Sequence, residues 1–378
     1  MLDNNSTSPS EYSGDSEGQL LSNDHMLEGQ DTFWRGATFL PLDKPLRSDV
    51  LLERVWKSQQ AAFLAFALNL SATQNELYKS TGIYDCLETF KTLTAETRRR
   101  LVQYPAFTSW LKLTLSADST RRDRTEILSS LKRIMESFEA DVRNRSVLKN
   151  GSSRVRLARF DVDPLIKKAA SPDYRFPDRT RELEFEDSVA YPVSFFGDMV
   201  ALALDRIRRA WPAAHQQFFS FVRLIVDMID AEMTSYSACD HMGAIFVSTD
   251  NSSLIALEEY LVHELGHQIL YCVMELDPIV INEPNRVFRL PWSGRERDLY
   301  GYFHAFYVYT FLAHYLCRVE RRSQREQKRV SDRVSHILKG LEKAAIELQA
   351  VDSFTMRGKH LFENLIESAA FLAKHKQR

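Results

Sequence analysis

Large apolar side chains recur every three or four positions between about residues 49 and 135, as they do along one face of a helix. One such stripe contains Leu51 and Val55, and another begins at Leu87. This spacing predicts an N-terminal helical region over residues 32–142.

The hydrophobic pattern changes after this helical region. Runs rich in β-branched and aromatic residues at 155–162 and 189–196 predict two short strands, each interrupted or bounded by prolines. Helical spacing returns at 199–207 and again at 218–229, and the run 243–248 is the clearest strand in the chain. A few strands among many helices predict an α+β protein that is predominantly α-helical, with a small sheet.

A helix buried on one side is predicted directly after the clearest strand, over residues 254–274. Ser252 or Ser253 can cap its start, and the next proline is Pro278. Its apolar stripe contains Leu254, Leu257, Leu261, Leu265 and Ile269. The strand before it is either an ordinary core strand or an edge to which an extended peptide could add.

Three further helices follow, an aromatic one from about residue 295 to 318 and two amphipathic ones over 322–350 and 360–374. The charges of both signs on the last two helices indicate solvated faces. Residues 1–31 contain no lysine or arginine and few large apolar side chains, which predicts a disordered acidic tail. The predicted organisation is a tail over 1–31, a helical region over 32–142 and a further domain over 143–378.

Composition limits the classes of function. An apolar content of 44% with 26% charged residues is typical of a globular protein with a sizeable core. A net charge of −2 predicts neither nucleic-acid binding nor attraction to a membrane surface. No run approaches the roughly 20 apolar residues that a spanning helix needs. The 4 scattered cysteines predict free thiols and a cytoplasmic location.

The sequence His-Glu-Leu-Gly-His at 263–267 carries the clearest chemistry. His263 and His267 are four residues apart on a predicted helix, so both imidazoles lie on one face and can reach one metal ion. Glu264 lies beside the first of them, and this motif predicts that the domain over 143–378 is a metal-binding catalytic domain. The alternative is a pair of core histidines that bond to backbone carbonyls.

A metal held by two histidines needs a third protein ligand. The metzincin pattern is excluded, because Leu270 and Val273 stand where it requires glycine and histidine. His304 is the preferred ligand, since its aromatic helix would bury it and a buried imidazole needs a partner. A satisfied core histidine remains the alternative. Three glutamates are further candidates: Glu275, Glu283 and Glu296.

Arg297 precedes His304 by seven residues. If the helix already includes Arg297, seven steps place the two residues on the same face, about 10 Å apart along the axis. A guanidinium there suits a cosubstrate carboxylate that is held by paired hydrogen bonds while its other end chelates the metal. The alternative for Arg297 is a structural ion pair with Asp298 or a nearby glutamate.

Several of these residues together resemble the HExxH-type peptide-modification family, which occurs in the biosynthesis of ribosomally made, post-translationally modified peptides. The similarity is scattered over about residues 95–365, and its specific part is 261–304. The residues that carry it are Leu261 to His267, the pair Pro291-Trp292, and Arg297, Leu299, Gly301 and His304. Where the family has an arginine-proline step this chain has Arg297-Asp298, so Arg295 is the reserve anchor.

This resemblance implies an Fe(II)- and 2-oxoglutarate-dependent oxygenase that hydroxylates the β-carbon of a residue in a precursor peptide. His263, His267 and His304 would hold Fe(II), and Glu264 would orient a ligand or water. Arg297, or Arg295, would bind 2-oxoglutarate. One alternative is a Zn²⁺ metallopeptidase with Glu264 as the general base. Another is a non-catalytic protein that binds peptides.

Overall fold

The structure, a computed structural model, is α+β and predominantly helical, as the sequence predicts. The predicted tail over 1–31 lies outside the described residues, and the domain boundary near residue 142 stays a prediction. In the described part of the chain, no helix is long and apolar enough to cross a membrane. The described residues are 39–40, 48–115, 121–143, 147–150, 153–159, 193–228, 234–248, 253–281, 286–319 and 323–376.

The N-terminal helices surround a core of their own. At its centre Phe63 meets Phe90, Phe107 and Trp110 edge to face, with ring centroids 5.1 to 5.9 Å apart. The first half of α1 instead contributes Leu51 to a second and larger core, so this helix connects the two. The helices are α1 (Ser48–Thr73), α2 (Asn75–Ser80), α3 (Ile83–Thr92), α4 (Ala95–Val102), α5 (Pro105–Leu115) and α6 (Arg121–Arg143).

A five-stranded sheet has the order β1-β2-β3-β5-β4. The three inner strands are parallel, with Ile225 paired to Leu157 on one side and to Ile245 on the other. The outer strands are antiparallel, and Tyr236 of β4 pairs with Phe246 of β5. The clearest predicted strand is therefore an inner strand, as in the core-strand alternative. The strands are β1 (Val147–Asn150), β2 (Ser153–Arg159), β3 (Leu224–Asp227), β4 (Ser235–Tyr236) and β5 (Ala244–Val247).

Two sequence predictions in this part of the chain are wrong. The predicted strand at 189–196 is helical in its described part, because it forms the start of α7 (Val193–Ala210). The predicted helix at 218–229 divides instead into the end of α8 (Pro212–Phe221) and the strand β3. A short apolar run fits a buried helix and a buried strand equally well, and only the sheet pairing decides between them.

Four long helices complete the larger core, and a small hairpin lies between the first two. Ser253 caps the first of them by accepting a hydrogen bond from the backbone N–H of Ala256. This helix, α9, is buried nearly all round because it packs against α10 as well as against α1, α7 and α8. The elements are α9 (Leu254–Leu276), β6 (Phe288–Arg289), β7 (Glu296–Arg297), α10 (Leu299–Leu316), α11 (Gln324–Gln349) and α12 (Met356–Lys376).

The hairpin is fixed to α11 by the indole of Trp292. Its Nε1 donates to the carbonyl of Ile337 at 3.2 Å, and its ring stacks on Tyr309 with centroids 4.2 Å apart. A Cβ added to Gly340 would overlap the indole. The glycine in α11 therefore makes the space that Trp292 fills.

Gly340→Ala is expected to lower the free energy of unfolding by about 1–3 kcal/mol, because an overpacked side chain has to displace Trp292. Alanine would otherwise favour the helix by roughly 1 kcal/mol. Urea denaturation measures the change. Gly266→Ala in α9 is the matched control, since its added Cβ would meet neighbours at ordinary contact distances of 3.5 Å or more. A Gly340→Ala protein as stable as the wild type would contradict this account.

Candidate metal centre

The contact between α9 and α10 brings together the three predicted histidines. Nε2 of His263 lies 3.0 Å from Nε2 of His267, and Nδ1 of His267 lies 2.5 Å from Nε2 of His304. Both ring nitrogens of His267 thus contact other imidazoles. The three side chains converge although His304 comes from a different helix.

Aromatic rings enclose the three imidazoles. Tyr271 and Tyr300 lie 4.9 and 5.7 Å from the His304 ring, centroid to centroid, and Tyr309 lies 5.8 Å from the His263 ring. His304 is only 5% exposed. This packing limits the access of water to the site.

Burial favours the neutral form of His263 and His267. Burial, aided by the nearby charge of Arg333, lowers the pKa of His263 to about 4. Burial and the two neighbouring histidines hold the pKa of His267 well below its usual value. The neutral imidazole is the form that ligates a metal, so at pH 7 these two histidines are in the protonation state that a metal site requires.

Glu264 is held by the edge of the sheet. Ser237, the residue after β4, donates a hydrogen bond from its hydroxyl to Oε2 of Glu264. Tyr271 in turn donates to the carbonyl of Ser237 at 3.1 Å. Burial raises the pKa of Glu264 to about 7, although hydrogen bonds from Ser235 and Ser237 act in the opposite direction. The carboxyl of Glu264 can therefore take up or release a proton near pH 7.

Two sets of three ligands can be considered for one metal ion, and only one of them is already assembled among the described residues. Ligand atoms of His263, Glu264 and His267 all lie within 4.8 Å of one another. His304 faces the other ring nitrogen of His267, and one ion can take only one nitrogen from each imidazole. Coordination by all three histidines therefore requires the rings to turn, whereas the ligand atoms of His263, Glu264 and His267 already lie together.

The arginines predicted to bind a cosubstrate lie on the hairpin rather than on a helix. Asp298 caps α10 by accepting from the N–H of Gly301 at 2.8 Å, and the helix begins at Leu299. The condition under which Arg297 would share a helix face with His304 is therefore not met. Arg297 donates to the carbonyl of Glu296 at 2.8 Å, and Arg295 is exposed.

The other candidate ligands lie apart from the histidines or outside the described residues. Glu275, near the end of α9, forms an ion pair with Lys112 at 2.8 Å. Glu296 is exposed on β7. Glu283 lies outside the described residues. These positions leave His304 and Glu264 as the described candidates for the third ligand.

Sequence reasoning did not find Arg333, which α11 brings to the edge of the site. Its guanidinium lies 5.9 Å above the ring of Tyr309 and bonds to Glu259 at 3.1 Å. In the sequence this residue lies on the charged face of an amphipathic helix, a pattern that indicates a solvated position. The sequence pattern does not indicate that Ser235 and Ser237 lie near Glu264, because β4 is only two residues long.

Comparison with known proteins gives this site no family. No protein-family model matches the chain, and a search of curated proteins finds no match. The chemistry of the site therefore has to follow from its own residues.

Replacing Glu264 with glutamine is expected to change how stability depends on pH. Its pKa is raised in the folded protein, so the stability it contributes is complete below about pH 4.5 and is lost as the pH rises through about 7. Glu264→Gln removes this loss. In metal-free protein, the free energy of unfolding of the variant should therefore rise relative to that of wild type by on the order of 1–3 kcal/mol as the pH increases from 5 to 8.

Urea unfolding at the two pH values, with a chelator present, measures this gain. The histidines titrate in both proteins, so their contribution cancels in the comparison. Glu342→Gln, at an exposed position on α11, is the matched control. A difference between Glu264→Gln and wild type that is the same at both pH values would contradict the burial of the carboxyl.

Proposed function

We propose that this chain is a metal-dependent enzyme, and specifically an Fe(II)- and 2-oxoglutarate-dependent oxygenase that hydroxylates the β-carbon of a residue in a ribosomally made peptide. One observation carries the metal site. His304, which is buried on a second helix, lies 2.5 Å from His267 and adds a third imidazole to the pair formed by His263 and His267. The resemblance of residues 261–304 to the HExxH-type peptide-modification family supports the choice of reaction.

The donor set suits the proposed ion. His263, His267 and His304 would hold Fe(II), and imidazole is a good ligand for iron as well as for zinc. With 2-oxoglutarate and O₂, such an ion supplies the oxidising power that C–H hydroxylation needs. The tyrosines around the histidines would keep bulk water out, and Glu264 would hold a proton or orient a bound water.

A cationic partner for the far carboxylate of 2-oxoglutarate is part of this proposal. Arg297 is the first candidate, because it lies at the N-terminus of α10, one residue before the cap residue Asp298. To bind a carboxylate its guanidinium would exchange the carbonyl of Glu296 for the ligand. Arg295, exposed on the same hairpin, remains the reserve.

A Zn²⁺ metallopeptidase is the second candidate, and Glu264 favours it. The carboxylate lies close to both histidines of the motif, and its pKa is about 7. A general base works best when its pKa lies near the working pH. Glu264 therefore has the properties needed to take a proton from a metal-bound water.

The deciding experiment compares the two metals on one mixture of synthetic peptides, with products read by mass spectrometry. Protein loaded with Fe(II) without oxygen, then given 2-oxoglutarate and air, should produce intact peptides heavier by one oxygen atom together with succinate. Fragments formed equally well with Zn²⁺ and without 2-oxoglutarate would establish the peptidase instead. If neither product forms and the protein binds no metal, the non-catalytic peptide-binding alternative remains.

A further inference from the structure

A cavity of about 860 Å³ lies between α9 and α11. The α9 side is contributed by Ala256, Glu259 and Tyr260. The α11 side is contributed by one face of that helix, since its lining residues recur at spacings of three and four. These residues are Gln324, Arg325, Lys328, Arg329, Asp332, Arg333 and His336.

Positive charge predominates among these described lining residues. Four of them are arginine or lysine, and only Glu259 and Asp332 are acidic. Glu259 and Arg333 are paired with each other, because Oε2 of Glu259 lies 3.1 Å from Nε of Arg333, which leaves three cations and Asp332 among the lining residues. Arg325 and Lys328 are exposed on the helix, so their charges are presented to the cavity and to solvent.

This cavity adjoins the candidate metal centre. Ala256, Glu259 and Tyr260 precede His263 by seven, four and three residues, so all four lie on one face of α9. From the other side, Arg333 lies 5.9 Å above Tyr309, whose ring lies 5.8 Å from that of His263. A molecule in the cavity would therefore have one end beside the first ligand of the metal.

We propose that this cavity binds an acidic segment of a peptide and so places a neighbouring residue at the metal centre. Carboxylates are the natural partners of arginine and lysine. Pockets for drug-sized ligands span about 300–1,000 Å³, and this volume lies near the upper end, suited to several peptide residues rather than one small dicarboxylate. That the peptide is a substrate rests on the proposed function, whereas its binding does not.

The test uses the full-length, metal-free protein and a fluorescein-labelled hexaglutamate peptide, with fluorescence anisotropy as the readout. Hexaglutamate should bind, and hexaglutamine and hexalysine should not. The double variant Arg325→Glu/Lys328→Glu should weaken binding on the order of 10-fold, because two attractive contacts become repulsive. Lys339→Glu/Lys359→Glu, an equal charge change at exposed positions outside the cavity, should change it less than about 2-fold.

Each other outcome overturns the proposal. Equal weakening by both double variants would show attraction to the overall charge rather than binding in the cavity. Absence of hexaglutamate binding would exclude an acidic peptide. Displacement of the peptide by an equimolar amount of 2-oxoglutarate would show a site for a small dicarboxylate. Because no metal or turnover is involved, failure of this proposal is distinguishable from failure of the proposed oxygenase reaction.

Discussion

His304→Ala is expected to weaken metal binding at least about 100-fold, because replacing even a residue that only supports a metal ligand lowers metal affinity 10- to 100-fold. His263→Ala and His267→Ala should do the same, since both available ligand sets include these two histidines. Metal content after dialysis against a series of buffered Fe(II) or Zn²⁺ concentrations measures the effect. Turnover should be lost in all three variants.

His314→Ala is the matched control for this result. His314 is buried in the same helix, and its Nε2 bonds to Ser368 at 2.6 Å, so the variant tests the loss of a buried imidazole away from the centre. It should keep its metal. If His304→Ala keeps its metal while Glu264→Gln loses it, the third ligand is Glu264, and the proposed three-histidine set is wrong.

Arg206→Met is expected to lower the free energy of unfolding by about 3–5 kcal/mol, the usual cost of removing one partner from a buried ion pair. Glu258 on α9 is 0% exposed, and Nε of Arg206 lies 2.6 Å from its carboxylate. Tyr315 donates to the other oxygen at 2.5 Å. Without Arg206 the carboxylate would stay buried with no cation beside it. Equilibrium denaturation measures the loss.

The double variant Arg206→Met/Glu258→Gln should recover most of that stability, because glutamine carries no charge and still accepts a hydrogen bond from Tyr315. Arg208→Met, which removes an exposed partner of Asp205 on the same helix, should cost less than about 1 kcal/mol. A double variant no more stable than Arg206→Met alone would mean that packing, rather than the buried charge, explains the loss.

The parts of the site that the sequence predicts are those encoded by local spacing. The α9 helix follows from its apolar stripe and the Ser253 cap, and the pairing of His263 with His267 follows from their four-residue separation. The burial of His304 could be predicted because this residue lies in a strongly aromatic helix. The exclusion of Arg297 from the helix could also be predicted, because Asp298 is a typical cap residue and places the start of α10 at Leu299.

The parts that could not be predicted depend on contacts between distant segments. Ser237 reaches Glu264 only because β4 pairs with β5 beside α9. Arg333 reaches Tyr309 only because α11 packs along α10. The strand in the run 218–229 forms because β2 and β5 are present on either side of it, which no local pattern reveals.

The sheet topology has a consequence for the order in which this centre can form. Pairs such as Leu157 with Ile225 join segments that are far apart in the chain, and contacts of this kind form slowly because a long loop has to close first. The contacts of the candidate centre join nearer segments, because His267 and His304 are 37 residues apart and Ser237 and Glu264 are 27 residues apart. The pairing of β4 with β5, which brings Ser237 to Glu264, is more local still and joins Tyr236 to Phe246. Both sides of the centre can therefore form before the parallel pairing of β2 with β3 closes the sheet.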